Sequence, residues 1–351
     1  MDIKELLKKT IEAQASDLHL TVGSPPHLRI DGELKPVDKE ILTESKAKDL
    51  IFPLLTPQQK DKFLVNKELD FSVAFGELGR FRVNVYFQQG SMAAALRLIS
   101  DKIRSIEELN LPKICLEVAE LKQGLVLVTG PTGHGKSTSL AAIINQINQN
   151  RADHILTIED PIEYIYKPIK SIISQREMHG DTHSWTVALR SALREDPDVV
   201  LVGEMRDYET IAAALTVAET GHLVLATLHT NSAAQTVDRI VDVFPEHQQG
   251  QIRIQLSSTL SVVMAQRLVP AIGGGRVAAT EVLLGTNAVK TSIREGKSHL
   301  LNNVIQTSGD VGMHSLEQDL AKQIIAGKID FKTAQEYCLD PNSLLRLIKS
   351  R

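Results

Sequence analysis

Two cysteines, Cys115 and Cys338, stand far apart in a chain of 351 residues. No disulfide framework and no cysteine-rich zinc site can be built from them, so a reducing compartment is expected. The net charge is −4 with both signs mixed along the chain, and aromatics make up only 4%. That composition removes a domain-wide basic face for nucleic acid, though it leaves room for a narrow pore loop. No apolar run approaches the roughly 20 residues that cross a bilayer, so any membrane association should be peripheral. The opening Met1-Asp2-Ile3-Lys4-Glu5-Leu6-Leu7-Lys8-Lys9 has amphipathic helical spacing and lacks the apolar core of a signal peptide. Internal repeats and low-complexity tracts are missing. So is an L-S-G-G-Q run, which excludes an ABC transporter subunit. Asn66-Lys67-Glu68-Leu69 fails N-K-x-D at its last position and lies upstream of the phosphate loop described below, which argues against a GTPase.

The 42% apolar content supports packed cores in two or three domains. Residues 1–100 read as an α+β unit. It has a short helix near 2–14, a half-buried strand at 16–22 and a hairpin around Asp31-Gly32. A helical stretch near 43–64 and three strand-like segments, 69–75, 79–88 and 92–99, complete it. Residues 101–113 read as a linker. From 114 to 284 strands alternate with helices, the pattern of an α/β domain with a mainly parallel sheet. Its buried strand candidates are 124–129, 154–159, 198–203 and 223–228, with a hairpin tip at Gly273-Gly274-Gly275. Residues 285–351 read as mostly helical.

Gly130-Pro131-Thr132-Gly133-His134-Gly135-Lys136-Ser137 matches G-x-x-x-x-G-K-[ST]. It follows an apolar strand and opens a helix that includes Thr138, the context this motif needs. Glycines let the backbone approach phosphates, and helix N-terminal amides face the negative charge. Lys136 would reach the β- and γ-phosphates, and the Ser137 hydroxyl would ligate Mg²⁺. The pattern implies binding of a nucleoside triphosphate.

Three further segments carry chemistry. In Pro197-Asp198-Val199-Val200-Leu201-Val202-Gly203-Glu204 an apolar strand leads to an acid. Gly203 occupies the place where an Asp is usual, and Glu204 can polarise the attacking water. Asp207 suits the N-cap of the next helix. Glu159, Asp160 and Glu163 cluster after another strand, at the sheet end where such sites lie. Glu159 is a candidate metal ligand beside Ser137, and Glu163 a candidate catalytic carboxylate. His222 precedes the strand 223–228 and His229 follows it. His229 can sense the γ-phosphate, while His222 fits a functional and a structural role equally. Alternation places Arg80 and Arg82 on one strand face. Arg190 and Arg194 either pair with acids such as Glu195 or line a subunit interface.

Together these elements resemble the type II/IV secretion ATPases. The segments that carry the resemblance are Leu193-Arg194-Glu195-Asp196-Pro197-Asp198, Val202-Gly203-Glu204-Met205-Arg206-Asp207 and Leu228-His229-Thr230-Asn231-Ser232-Ala233. Ala15-Ser16-Asp17-Leu18-His19-Leu20 extends it towards the N-terminus. Within that superfamily the chain is most similar to the pilus-retraction (twitching-motility) branch, PilT type. Ser292-Ile293-Arg294-Glu295 looks like that branch's C-terminal Ala-Ile-Arg-Glu motif, which marks Arg294 and Glu295 as candidates for transmitting the nucleotide state. A tetra-cysteine insertion, carried by many extension and secretion ATPases, is missing. The resemblance implies a PAS-like N-terminal domain, a RecA-like P-loop core with a helical C-terminal segment, ATP and Mg²⁺. It implies a homohexamer that works in the cytoplasm against an inner-membrane platform protein to retract a type IV pilus. It also implies that Arg80, Arg82 and Arg97 reach the nucleotide, although Gln89 stands where relatives often have Arg. A pilus-extension or type II secretion ATPase is the alternative, and a RecA-like nucleic-acid translocase a more distant one.

Overall fold

The computed structural model describes residues 1–30, 32–76, 79–99 and 102–349. The expected turn residue Asp31 lies outside them. Contacts divide the chain into two units: Met1–Lys102 together with Glu163–Ile165, and the remainder from Ile103 onward.

The first unit begins with α1 (Ile3–Glu12), started by a reciprocal cap between Asp2 and Glu5. Next come β1 (Asp17–Leu20), β2 (His27–Ile30), β3 (Glu33–Pro36), α2 (Glu44–Ile51), α3 (Pro57–Asn66), β4 (Glu68–Ala74), β5 (Arg80–Gln88) and β6 (Ser91–Ile99). The single helical stretch expected near 43–64 is broken. Pro53 sits in a tight turn, and Pro57 opens α3 behind the Thr56 cap. The strands form one antiparallel sheet in the order β3-β2-β1-β6-β5-β4. Leu18, Leu20, Phe81, Val83, Val85 and Leu96 point into a core shared with Leu6, Leu7, Leu50, Ile51 and Phe63. Alternation sends Asp17, Arg29, Arg82, Arg97 and Asp70 to the opposite face.

The second unit runs α4 (Ile114–Glu120), β7 (Gly124–Thr129), α5 (Lys136–Asn150), β8 (His154–Glu159), β9 (Ile172–Glu177), α6 (Trp185–Ala192), β10 (Val199–Val202), α7 (Tyr208–Glu219) and β11 (Leu223–Leu228). It continues through α8 (Ala233–Asp242), α9 (Glu246–Thr259), β12 (Leu260–Pro270), β13 (Arg276–Leu284), α10 (Asn287–Arg294), α11 (Leu301–Thr307), α12 (Leu316–Ile325), α13 (Phe331–Tyr337) and α14 (Pro341–Lys349). Its seven-stranded sheet has the order β13-β12-β7-β11-β10-β8-β9 and is parallel except for β13. β7, β10 and β11 are buried along their whole length, as strands with both faces covered must be. β9 was not expected from the sequence. Ile172-Ile173-Ser174-Gln175-Arg176-Glu177 is an edge strand with mixed burial, so it shows no clean alternation.

The carboxyl ends of β7, β8, β10 and β11 share one edge of this sheet. That edge carries the P-loop after β7, Glu159 at the end of β8, Glu204 beyond β10 and His229 beyond β11. Ligands in open α/β sheets bind along this edge, where the chain leaves a central strand towards both sides.

Candidate functional site

α5 opens without a side-chain cap. Its N-cap is Gly135, left-handed at φ 81°. Its first amides are therefore not taken by a side chain of the cap, the arrangement that serves an anion. Gly130 stands at φ 140°, and a Cβ there would lie 2.2 Å from the Gln266 carbonyl oxygen. Only glycine fits that close approach. The Lys136 ammonium is buried and donates to the carbonyls of Gly130 at 2.7 Å and Pro131 at 3.0 Å. It also lies 3.3 Å from His229 Nδ1.

His229 bridges the loop and the acid. Its Nε2 donates to Glu204 Oε1 at 2.9 Å, while Nδ1 faces Lys136 and, at 3.5 Å, the Thr132 hydroxyl. A lysine can only donate, so these contacts assign the neutral ring its Nε2–H tautomer. The other oxygen of Glu204 accepts from Arg206 at 2.8 Å. Burial pushes the Glu204 carboxyl up. The Arg206 hydrogen bond and the neighbouring His229 outweigh that, and leave it below the ordinary glutamate range. Glu204 is therefore an ionised carboxylate at neutral pH. Gly203 has a packing reason: a Cβ there would meet the Ile158 carbonyl at 3.2 Å and the Trp185 ring at 3.4 Å. An acid at that place would press on the end of β8. Asp207 caps α7 through the Thr210 amide at 2.8 Å, as expected.

His134 turns its ring towards β12, where Nδ1 accepts from the Leu268 amide at 3.0 Å. Burial, followed by the positive charges of Arg267, Arg276 and Lys136, lowers its pKa. Ser137 and Thr138 lie partly buried in the first turn of α5.

Glu159 is buried, and its Oε1 accepts from the Thr157 hydroxyl at 2.7 Å and from Gln175 at 3.4 Å. β8 is separated from β7 by β10 and β11, about 14 Å of sheet, and Glu159 stands on the same carboxyl edge as the P-loop. Glu163 groups with the first unit. Arg80, Arg82 and Arg97 also belong to that unit. Arg80 donates to Ser72 at 2.5 Å, Arg82 pairs with Asp70 at 2.6 Å and Arg97 with Asp17 at 2.8 Å. His222 lies at the opposite edge of the sheet, 3.0 Å from the Val217 carbonyl near the end of α7. Arg294 ends α10 within 3.4 Å of the Thr291 hydroxyl, and Glu295 pairs with Lys297 at 2.8 Å. Glu195 is held by Arg176 at 2.8 Å, not by Arg190 or Arg194. Arg190 lies in the last turn of α6 and Arg194 beyond its end, both exposed.

The family model for type II/IV secretion system proteins matches residues 1–328. The chain belongs to that family. Among its relatives, the type IV pilus retraction ATPase PilT of Pseudomonas aeruginosa is 46% identical over 98% of this chain and 100% of its own. A twitching motility protein of Neisseria gonorrhoeae is 45% identical over 91% of this chain and 86% of its own. The crystal structure of the pilus retraction motor PilT with bound ADP superposes with a TM-score of 0.93, at 47% identity and 99% coverage of both chains.

In this secretion-family chain three residues near the site were not singled out by the sequence pattern. Arg206 was visible beside Glu204, but nothing in the spacing said that it would occupy the second carboxylate oxygen. Gln266 and Glu281 are polar residues inside otherwise apolar strands, which is the one signal they offer. Glu281 is buried and accepts from the Ala233 amide, at the start of α8, at 2.7 Å. Burial pushes its pKa up, against the pull of that amide and of the Leu316 amide at the start of α12.

Proposed function

We propose that this ATPase is the motor of type IV pilus retraction and works as a ring-shaped homohexamer. ATP lies with its phosphates over the Gly130–Ser137 loop. Lys136 turns from the loop carbonyls to the β- and γ-phosphates. Glu204 takes the proton of the attacking water or orients that water. His229 couples the two, because one ring nitrogen bonds Glu204 and the other faces the loop lysine. A change in what Lys136 contacts therefore alters how Glu204 is held. Ser137, a hard oxygen donor in the first turn of α5, fits the needs of Mg²⁺, which when bound neutralises charge on the phosphate oxygens.

The observation that carries this reading is the continuous relay Lys136–His229–Glu204 at the carboxyl edge of the sheet. Arg80, Arg82 and Arg97 are assigned to stabilising transition-state charge on nucleotide held by another copy of the chain, and Glu163 is kept as a candidate catalytic carboxylate. Arg294 and Glu295 are assigned to output, towards an inner-membrane platform protein. No helix among the described residues is long and apolar enough to cross a membrane, which fits a motor acting from the cytoplasm. Deleting the gene in its source organism tests the direction of work. Abundant surface pili without twitching supports retraction, and loss of pili reassigns the chain to extension.

A further inference from the structure

We infer that Gln266, on the strand β12 beside the P-loop strand, is a positioning residue for nucleotide phosphates. The inference rests on the proposal that ATP occupies the Gly130–Ser137 loop. Gln266 is 2% exposed in a strand whose neighbours Val262, Val263, Met264 and Ala265 are apolar and buried. An amide at such a place is costly unless both its ends are bonded. Both are, and both bonds go to the loop and its helix. Oε1 accepts from the Ser139 hydroxyl at 2.7 Å, and Nε2 donates to the His134 carbonyl at 2.8 Å. The orientation is fixed by chemistry: a carbonyl cannot donate, so only the NH₂ group can face His134.

The main chain of the same strand completes the support. The Gln266 carbonyl lies under Gly130, and the Leu268 amide holds the His134 ring. The first glycine of the loop, its fourth variable residue and the first turn of α5 thus all rest on residues 266–268. Turning the His134 carbonyl towards β12 directs the trans peptide plane so that the following Gly135 amide points away from Gln266. Gln266 touches no phosphate in this arrangement. It sets the curvature that lets the amides converge on one.

The test uses the full-length chain and MgADP and MgATP as probes, with affinity by calorimetry, steady-state phosphate release and thermal melts without nucleotide. Gln266→Met removes both hydrogen bonds without adding charge and should weaken MgADP about tenfold. Gln266→Glu places an acceptor against the His134 carbonyl and should cost more. Ser139→Ala loses only the contact at Oε1 and should cost about two- to threefold. KM for ATP should rise in parallel while kcat at saturation stays within about threefold, as for an interaction that serves ground state and transition state alike. Gln266→Met binding MgADP within twofold of wild type overturns the inference. So does a loss of affinity that merely follows the unfolded fraction in the melts, or a fall in kcat with KM unchanged. If wild type and Lys136→Ala are alike in failing to bind, the ATP reading itself falls and this inference with it.

Discussion

Replacing Glu204 by Gln separates catalysis from binding, and the structure sets the size of each effect. The carboxylate is 21% exposed and its partner Arg206 is 75% exposed. An ion pair so open to solvent contributes less than about 1 kcal/mol. Gln keeps an acceptor for His229 Nε2 and turns an NH₂ group towards Arg206, which is free to move into water. The melting temperature should therefore shift by no more than about 2–4 °C. Loss of a positioned base is a larger matter, roughly 10²- to 10⁴-fold in rate. At 1.36 kcal/mol per tenfold that is about 2.7–5.4 kcal/mol on the barrier. ATP affinity should hold within a fewfold, because Lys136, Ser137 and the loop amides are unchanged. Lys136→Ala should instead weaken binding itself. Phosphate release measured with purified protein, beside nucleotide titration and a thermal melt, gives all three numbers. Turnover of Glu204→Gln within about fivefold of wild type would refute the assignment of Glu204 and the relay built on it.

His134 gives a pH dependence. Its folded pKa lies below the ordinary histidine value of about 6.5, so the neutral ring favours the fold above that value. As pH falls from there through the lowered pKa, a proton on Nδ1 breaks the bond from the Leu268 amide and the contribution is lost. Melts from pH 8 to 5 should show a steeper acid loss in wild type than in His134→Asn, and identical slopes would exclude the effect. Arg80→Ala, Arg82→Ala and Arg97→Ala, made singly, should include at least one variant that loses about 10³-fold in kcat while still binding ATP, in the manner of an arginine finger. Normal turnover in all three would return these residues to the pairs they make with Ser72, Asp70 and Asp17. An Arg294→Ala, Glu295→Ala double change should leave ATPase activity and hexamer assembly largely intact while stopping retraction. Normal twitching by a strain carrying it would make that helix end structural, and loss of both activities would indicate misfolding.

Much of the candidate site was legible because its parts are local patterns. The loop spacing, the apolar run before Glu204 and the cap at Asp207 each declare themselves within ten residues. The pairing of His229 with Glu204 could be guessed only from strand ends, since the two meet across neighbouring strands β11 and β10. Gln266 shows in the sequence only as a polar residue in an apolar strand, because its partners stand 127 and 132 residues away. The acidic segment is the opposite case. Glu159 and Glu163 are close in sequence, yet one turns into the edge of its own sheet and the other groups with the first unit. Arg190 and Arg194 have helical spacing, but α6 stops at Ala192, so the four-residue rule no longer applies. The first unit's sheet was readable because its strands alternate, whereas the edge strand β9 lacks that contrast.

The place of β7 between β11 and β12 bears on how the molecule is made. The loop's contacts close over 97 residues to His229 and 132 residues to Gln266. Closing spans of that length adds little to the equilibrium cost, since each doubling adds only about 0.6 kcal/mol, but non-local pairing slows folding. A chain emerging from the ribosome therefore has its loop sequence early and a finished phosphate cradle only after β12 has been synthesised and docked. Nucleotide that binds the finished cradle and nothing earlier acts as a folding ligand, worth about 2.7 kcal/mol at a hundred times its Kd. The fuel of this motor would thereby also decide how much of the newly made chain stays folded.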